Sequence, residues 1–131
     1  MVTDSSILRL RSIRSTLNQI MISVTIYVED EHYTGIDFLG HAGNAGQPVS
    51  EQELVCSAVS ALTINLANSV ERFTHDPFEN DVDETDGLFR FRFTGKISSD
   101  SILLMNSLIF GLQNIEEAYG EPYIKIRYKE V

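Results

Sequence analysis

Several common features are scarce in this chain of 131 residues, and each scarcity excludes a class of protein. A single cysteine leaves no disulfide possible within the chain, which is typical of a reducing compartment, so we expect a cytoplasmic protein. No uninterrupted apolar run approaches the roughly 18–20 residues of a membrane-spanning helix, so no membrane partner is expected. Cations are also few: 10 lysines and arginines against 19 acidic residues give a net charge of −9. This balance argues against nucleic acid, which needs a basic surface, and suits a basic partner.

Length and composition favour one globular domain. Apolar residues make up 43% of the chain, which is ordinary for a folded protein, and 131 residues bury one modest core. Residues 1–20 are rich in serine and arginine and differ from the remainder. Because Met21 directly precedes the first clear strand, we expect residues 1–20 to be a loosely ordered extension or to lie upstream of the native start. Residues 21–131 are expected to form the domain.

Hydrophobic periodicity predicts four strands and two helices. Alternating residues predict strands at MISVTIYV, YTGIDFLG, LFRFRFT and YIKIRY, the first two as a hairpin. One helix is predicted from Ser50, which forms a capping box with Glu53, to about Arg72. A second is predicted from position 98 or 99 to Gly120. The order β-β-α-β-α-β predicts an α/β (α+β) two-layer sandwich with both helices on one face of a four-stranded sheet.

Charged residues outside the predicted core fall into two groups. The stretch THDPFENDVDETDG carries six carboxylates between Asp76 and Asp86 and is predicted to be a solvated loop. If the last two strands are neighbours, the open face of the sheet carries a basic stripe of Arg90, Arg92, Lys125 and Arg127. Such a stripe is more typical of a solvated face than of a binding site.

The stretch GHAGNAGQPVSEQELVCSAVSAL contains the residues that could carry chemistry. Cys56 is the single thiol, and His41 lies before it on a glycine-rich loop that begins at Gly40. Glu53 and Ser60, at i−3 and i+4 from Cys56, share its face of the predicted helix. An imidazole can take the proton of a thiol, and the thiolate can then attack a carbonyl carbon.

The residues alone leave several readings of Cys56 open. A helix capped at Ser50 puts the thiol in the second turn, where the helix dipole adds little. A helix that starts nearer Glu53 gives the thiol more of the dipole and leaves the backbone N–H of Cys56 for an oxyanion hole. Cys56 could also be a packing residue, or a redox sensor that needs a disulfide across a dimer. Cys56 and the histidines lack metal-ligand spacing, so neither metal nor cofactor is expected.

The order of these pieces resembles the ribosomal-processing cysteine protease family, Prp. GHAG, a short loop and ELVCSAVSAL follow an opening hairpin, and LQNIEEAYG precedes the terminal strand, so the resemblance runs from about Met21 to Tyr128. It implies a cytoplasmic bacterial protease that forms homodimers. It also implies a substrate, large-subunit ribosomal protein twenty-seven, from which a short N-terminal extension is removed.

The resemblance also implies roles for single residues. By motif match, Cys56 is the nucleophile and His41 the general base. Glu53 stands where the family often has aspartate and could orient the imidazole, Ser60 matches a small polar residue that supports thiol or substrate, and Gly40 matches a hinge glycine. The competing hypothesis is a non-catalytic acidic protein that binds a basic ribosomal or assembly partner, in which Cys56 only packs.

Overall fold

The computed structural model describes residues 21–40, 49–120 and 122–131. Its elements, in chain order, are β1 (Ile22–Glu29), β2 (His32–Leu39), α1 (Val49–Phe73), β3 (Phe78–Asp83), β4 (Leu88–Phe93), α2 (Ser99–Tyr119) and β5 (Ile124–Glu130). The strands form one sheet in the order β3-β4-β2-β1-β5. Only β1 and β5 are parallel, so the sheet is mixed. The α+β class and both helices are confirmed, whereas the expected number of strands is wrong. The predicted extension lies outside the described residues.

Side-chain alternation explains why both helices lie on the same face of the sheet. In β1, Val24 and Ile26 are fully buried, and the residues between them face the other side. These strand residues share one hydrophobic cluster with Val55 of α1 and Leu112 of α2. The hairpin of β1 and β2 is confirmed by their antiparallel pairing. One apolar face per strand therefore produces a two-layer arrangement.

The strand β3 corrects the prediction of a solvated loop. Its sequence, FENDVD, is mostly polar and exposed, so it lacks the apolar alternation by which strands are recognised. This segment becomes a strand because it pairs with β4. Asp81 lies opposite Arg90, and the Phe78 ring stacks on Phe91 with centroids 4.9 Å apart. A strand of this kind exists because its neighbour supplies both the hydrogen bonds and the apolar contact.

The expected basic stripe is also corrected, because β2 and β1 separate β4 from β5. On the open face, Arg92 donates two hydrogen bonds to the Asp37 carboxylate, at 3.0 and 3.3 Å. Arg90 Nε reaches Asp37 Oδ1 at 3.3 Å. The Arg92 guanidinium also lies 3.9 Å from the centre of the Tyr27 ring. The arginines of β4 are therefore bound to β2 and β1 and do not join Lys125 and Arg127.

The predictions for where the two helices begin have different outcomes. At α2 the prediction is confirmed, because Ser98 has extended backbone and its side chain accepts from Ser101 N. At α1 the prediction of a cap at Ser50 is wrong, because the helix already includes Val49. Ser50 is therefore a helical residue, and its capping box with Glu53 does not form. The end of α1 at Phe73 agrees with the prediction to within one residue.

Helix α1 spans 25 residues and is largely apolar. In the part of the chain that the structure describes, it is the one helix long and apolar enough to cross a membrane. The core helix of a soluble protein can have the same length and apolar composition. Val55, Val59 and Val70 of α1 are buried in the cluster with the sheet. The search for uninterrupted apolar runs did not single out this helix, because polar residues are scattered among its apolar ones.

Candidate active site

A cleft of about 370 Å³ lies between α1 and one end of the sheet. Its walls are mainly apolar and include Ile22, Phe38, Val59 and Phe89. The turn between β3 and β4 forms another part of the wall with Asp83, Glu84 and Gly87. A cleft of this size and lining suits an apolar side chain of a bound peptide, with acidic groups to one side.

Cys56 lines this cleft from α1. It is half-buried and also contacts the hydrophobic core. Because α1 already includes Val49, Cys56 lies about two turns inside the helix, where the macrodipole has little effect. The alternative of a helix start near Glu53 is therefore wrong. At this depth the backbone N–H of Cys56 is used in the helix and is not left for an oxyanion hole.

The other predicted site residues are placed differently. Ser60 lines the cleft one helical turn after Cys56, and its carbonyl accepts a hydrogen bond of 3.1 Å from Thr63 Oγ1. Glu53 is exposed on α1 and is not part of the cleft wall. His41 lies outside the described residues. The structure therefore brings Cys56, Ser60 and Gly40 together at one cleft.

Gly40 lies in the cleft wall, and it is the residue that precedes His41. Its φ of 102° falls in the region that side chains rarely adopt, so glycine is required by this backbone. The N–H of Gly40 donates to the carbonyl of Gly87 at 3.1 Å. This bond ties the end of β2 to the β3–β4 turn, and both glycines line the cleft.

Sequence reasoning missed a contact that holds the start of α1. The buried Tyr123 hydroxyl donates to Glu51 Oε2 at 2.5 Å, and Glu51 lies in the first turn of α1. The carbonyl of Tyr123 accepts from Ile22 N at 2.8 Å, at the start of β1. The hydrogen bond to Glu51, helped by burial, raises the pKa of Tyr123 to about 12. No local pattern could reveal this pair, because the two residues are 72 positions apart.

The raised pKa of Tyr123 predicts a stability change at alkaline pH. An unfolded tyrosine loses its proton near pH 10, whereas the folded one keeps it to about 12. Stability from this bond is therefore fully present below about pH 10 and is lost as the pH rises through about 12. We expect Tyr123→Phe to be less stable than the native chain at pH 8, with a difference that shrinks towards pH 12. Urea unfolding across this pH range measures it.

Tyr33→Phe is the matched control, because it leaves the bond between Tyr123 and Glu51 in place. It should keep the full alkaline decline of the native chain. If Tyr123→Phe and Tyr33→Phe decline alike between pH 10 and 12, the bond does not contribute to stability as described.

The sequence comparison decides the family. Residues 21–125 match the family described as cysteine protease Prp. This chain belongs to that family. A ribosomal processing cysteine protease Prp from Staphylococcus aureus is 30% identical over 112 residues, which cover 83% of this chain and 100% of the relative. The chain is therefore a cysteine protease, a hydrolase of peptide bonds. This membership argues against the competing hypothesis of a non-catalytic binding protein.

Solved structures of the Prp family have the same fold. The S. aureus Prp in complex with a substrate peptide superimposes with a TM-score of 0.73 at 28% identity, covering 83% of this chain and 100% of that one. The S. aureus Prp with a covalently linked product peptide gives 0.69 at 29% identity over the same shares. SMU.848 from Streptococcus mutans, at 24% identity and a TM-score of 0.71, covers 85% of this chain and 96% of its own and shows the fold alone.

Within 21–40, 49–120 and 122–131, no three histidine, cysteine or acidic side chains come together in a way that could hold a metal ion. In this part of the chain, the residues that line the cleft with a thiol, hydroxyl or carboxylate group are Cys56, Ser60, Thr63, Asp83 and Glu84.

Proposed function

We propose that this Prp-family protein removes the N-terminal extension of large-subunit ribosomal protein twenty-seven during ribosome assembly. Cys56 is the nucleophile and His41 the general base in this proposal. The observation that carries it is the position of the single thiol of the chain in the wall of an apolar cleft. Gly40, which directly precedes His41, lies in the same wall. The name of the S. aureus relative and the substrate peptide in its structure support a peptide substrate from the ribosome.

The reaction would proceed by acyl transfer. The imidazole of His41 takes the proton from Cys56 Sγ, and the thiolate attacks the carbonyl carbon of the scissile peptide bond. The tetrahedral intermediate collapses to a thioester, and the leaving amine takes the proton back from the imidazolium. Water, deprotonated by the same imidazole, then hydrolyses the thioester. Because the N–H of Cys56 is used inside α1, the oxyanion must find other hydrogen-bond donors.

The remaining cleft residues receive supporting roles. Ser60 lies one turn from Cys56 on the same wall, where its hydroxyl can hold the thiol or a peptide group of the substrate. Gly40 serves as the hinge for the loop that carries His41, and its positive φ shows why glycine is needed there. Glu53 is exposed and outside the cleft wall, so the proposal uses a dyad without it.

Charge supports a basic substrate. The net charge of −9 attracts a basic polypeptide over long range, and this attraction weakens as salt is added. Asp83 and Glu84 bring part of this charge to the cleft itself. Ribosomal proteins are basic, which fits this charge. A cytoplasmic location, where ribosomes are assembled, is also part of the proposal.

A homodimer is also part of the proposal. The helices leave large apolar side chains on the surface outside the cleft: Leu103 and Phe110 of α2 are 68% and 65% exposed, and Leu54 of α1 is 54% exposed. Exposed apolar surface of this kind is typical of a subunit interface. We expect light scattering to give twice the mass of the chain, and Phe110→Glu to shift it to the monomer. A native chain that elutes as a monomer at micromolar concentration would contradict the dimer.

A cleavage assay tests the function. The purified chain is mixed with the same organism's ribosomal protein twenty-seven carrying its full N-terminus, and intact mass is followed over time. We expect loss of one short N-terminal fragment with the native chain and an unchanged mass with Cys56→Ser. An unchanged substrate with both proteins would reject this substrate.

A further inference from the structure

The outer edge of β3 has no partner strand among the residues that the structure describes. Among the described residues, β3 is a terminal strand of the sheet and pairs only with β4. Thr94 N donates to the carbonyl of Pro77 at 3.0 Å, so these two residues form a hydrogen-bonded pair of the antiparallel ladder. Hydrogen-bonded and non-hydrogen-bonded pairs alternate along such a ladder. The backbone groups of Glu79, Asp81 and Asp83 therefore point towards β4. Those of Phe78, Asn80 and Val82 point away from the sheet and can accept another strand.

The side chains of β3 make this edge acidic. Glu79, Asp81 and Asp83 alternate along the strand and share the open face of the sheet with Arg92 and Arg90 of β4. Both arginines, however, bind Asp37 on their other side. Within the described ranges, neither Glu79 nor Asp81 forms an ion pair. Glu79, Asp81, Asp83 and Asp37 carry four negative charges against the two positive charges of Arg90 and Arg92, so this edge keeps a net negative charge.

The same edge leads to the cleft. Val82 and Asp83, at the end of β3, are part of the wall that also contains Cys56. Val82 is 57% exposed, so its side chain offers an apolar contact on the helix side of the strand. An extended segment that lies along β3 would therefore pass directly to the cleft.

We propose that β3 binds a basic segment of the substrate as an added β-strand and delivers the neighbouring peptide bond to Cys56. This inference rests on the proposed function and assigns the surface that selects the substrate. A second copy of β3 would bring like charges together, which opposes pairing of two such edges. A strand with lysine or arginine at alternate positions would place opposite charges beside Glu79 and Asp81.

Backbone hydrogen exchange tests the strand addition without catalysis. The Cys56→Ala protein is titrated with a peptide that carries lysine at alternate positions, and amide exchange is followed by NMR. We expect slower exchange at the amides of Phe78, Asn80 and Val82. The amides of Glu79 and Asp81, already bonded to β4, should change little. A peptide that binds without protecting the three outward amides would overturn the proposal, as would equal binding of the same peptide with glutamate in place of lysine.

Kinetics of two variants test the same surface in the active protein. Glu79→Gln with Asp81→Asn removes two charges and is expected to raise KM about fivefold for a lysine-flanked substrate, with kcat unchanged. A serine-flanked substrate should show no change. Asn80→Pro removes one outward N–H without disturbing the ladder to β4 and should raise KM about fivefold for both substrates. Glu117→Gln with Glu130→Gln removes the same net charge elsewhere and serves as the matched control.

The outcomes separate the two proposals. Cleavage with a KM that does not respond to the β3 variants, or that responds equally to the matched control, overturns docking at β3 and leaves the protease proposal standing. Slower exchange of the three outward amides in a protein that cleaves no ribosomal protein keeps the docking strand and rejects the proposed substrate.

Discussion

Replacement of Cys56 by alanine is expected to lower the rate of peptide cleavage by at least about 10⁴-fold, as loss of a nucleophile does in other enzymes. The thiol lies in the wall of an apolar cleft, and no second cysteine exists in the chain to replace it. Binding should survive, because the cleft walls and the acidic turn remain. Single-turnover cleavage of a peptide that spans the processing site, followed by mass spectrometry, measures the loss.

Ser57→Ala is the matched control for this substitution. Ser57 is the next residue of α1, it is exposed, and it is not part of the cleft wall. Its replacement should leave kcat and KM within about twofold. Because Cys56 is only half-buried, Cys56→Ala should unfold in urea close to the native midpoint. Cleavage that persists in Cys56→Ala at more than a few per cent of the native rate would remove Cys56 from the mechanism.

His41→Ala is expected to lower cleavage by about 10²–10⁴-fold, the usual contribution of a general base. The same variant should react more slowly with iodoacetamide. The thiolate is the form that reacts, and in this proposal the imidazole produces it by taking the proton of the thiol. Alkylation near neutral pH, read as the mass added per chain, measures the second effect independently of any substrate. Free imidazole in the buffer should restore part of the cleavage rate.

The chain contains two further histidines that serve as controls. His32 begins β2 in the hairpin, and His75 follows α1; both side chains are exposed and neither lines the cleft. His32→Ala and His75→Ala should leave both rates close to native. Equal alkylation of His41→Ala and the native chain, together with retained cleavage, would show that another group activates the thiol.

Elements with their own hydrophobic pattern were predictable from the sequence. β1 alternates between buried and half-exposed residues along most of its length, and α2 has both a serine cap and a glycine at its end. β3 was not predictable in this way, because its polar residues form a strand only when β4 supplies the partner. The start of α1 was misplaced because Ser50 and Glu53 satisfy the capping pattern but lie inside the helix.

The candidate site likewise has features that the sequence could predict and features that depend on the tertiary structure. The pieces GHAG and ELVCSAVSAL, in this order, resemble the Prp family and so indicated a thiol protease, whereas the residue types alone left other readings of Cys56 open. The depth of Cys56 in α1 and the exposure of Glu53 could not be predicted from the sequence, because both depend on where the helix begins and which face it buries. The bond between Tyr123 and Glu51 joins distant parts of the chain, so no local window contains it.

By itself, the sequence predicted the α+β class, the two helices, the hairpin and, through the family resemblance, the candidate residues for the protease chemistry. Local periodicity decides which side of an element faces the core, and this information needs no neighbour. The tertiary structure alone decided that β5 lies beside β1, that β3 forms the opposite edge of the sheet, and that Asp37 binds both arginines of β4. It also placed Cys56 in a cleft beside the acidic end of β3. These features arise from contacts between distant residues, which strand order and register create and no short stretch encodes.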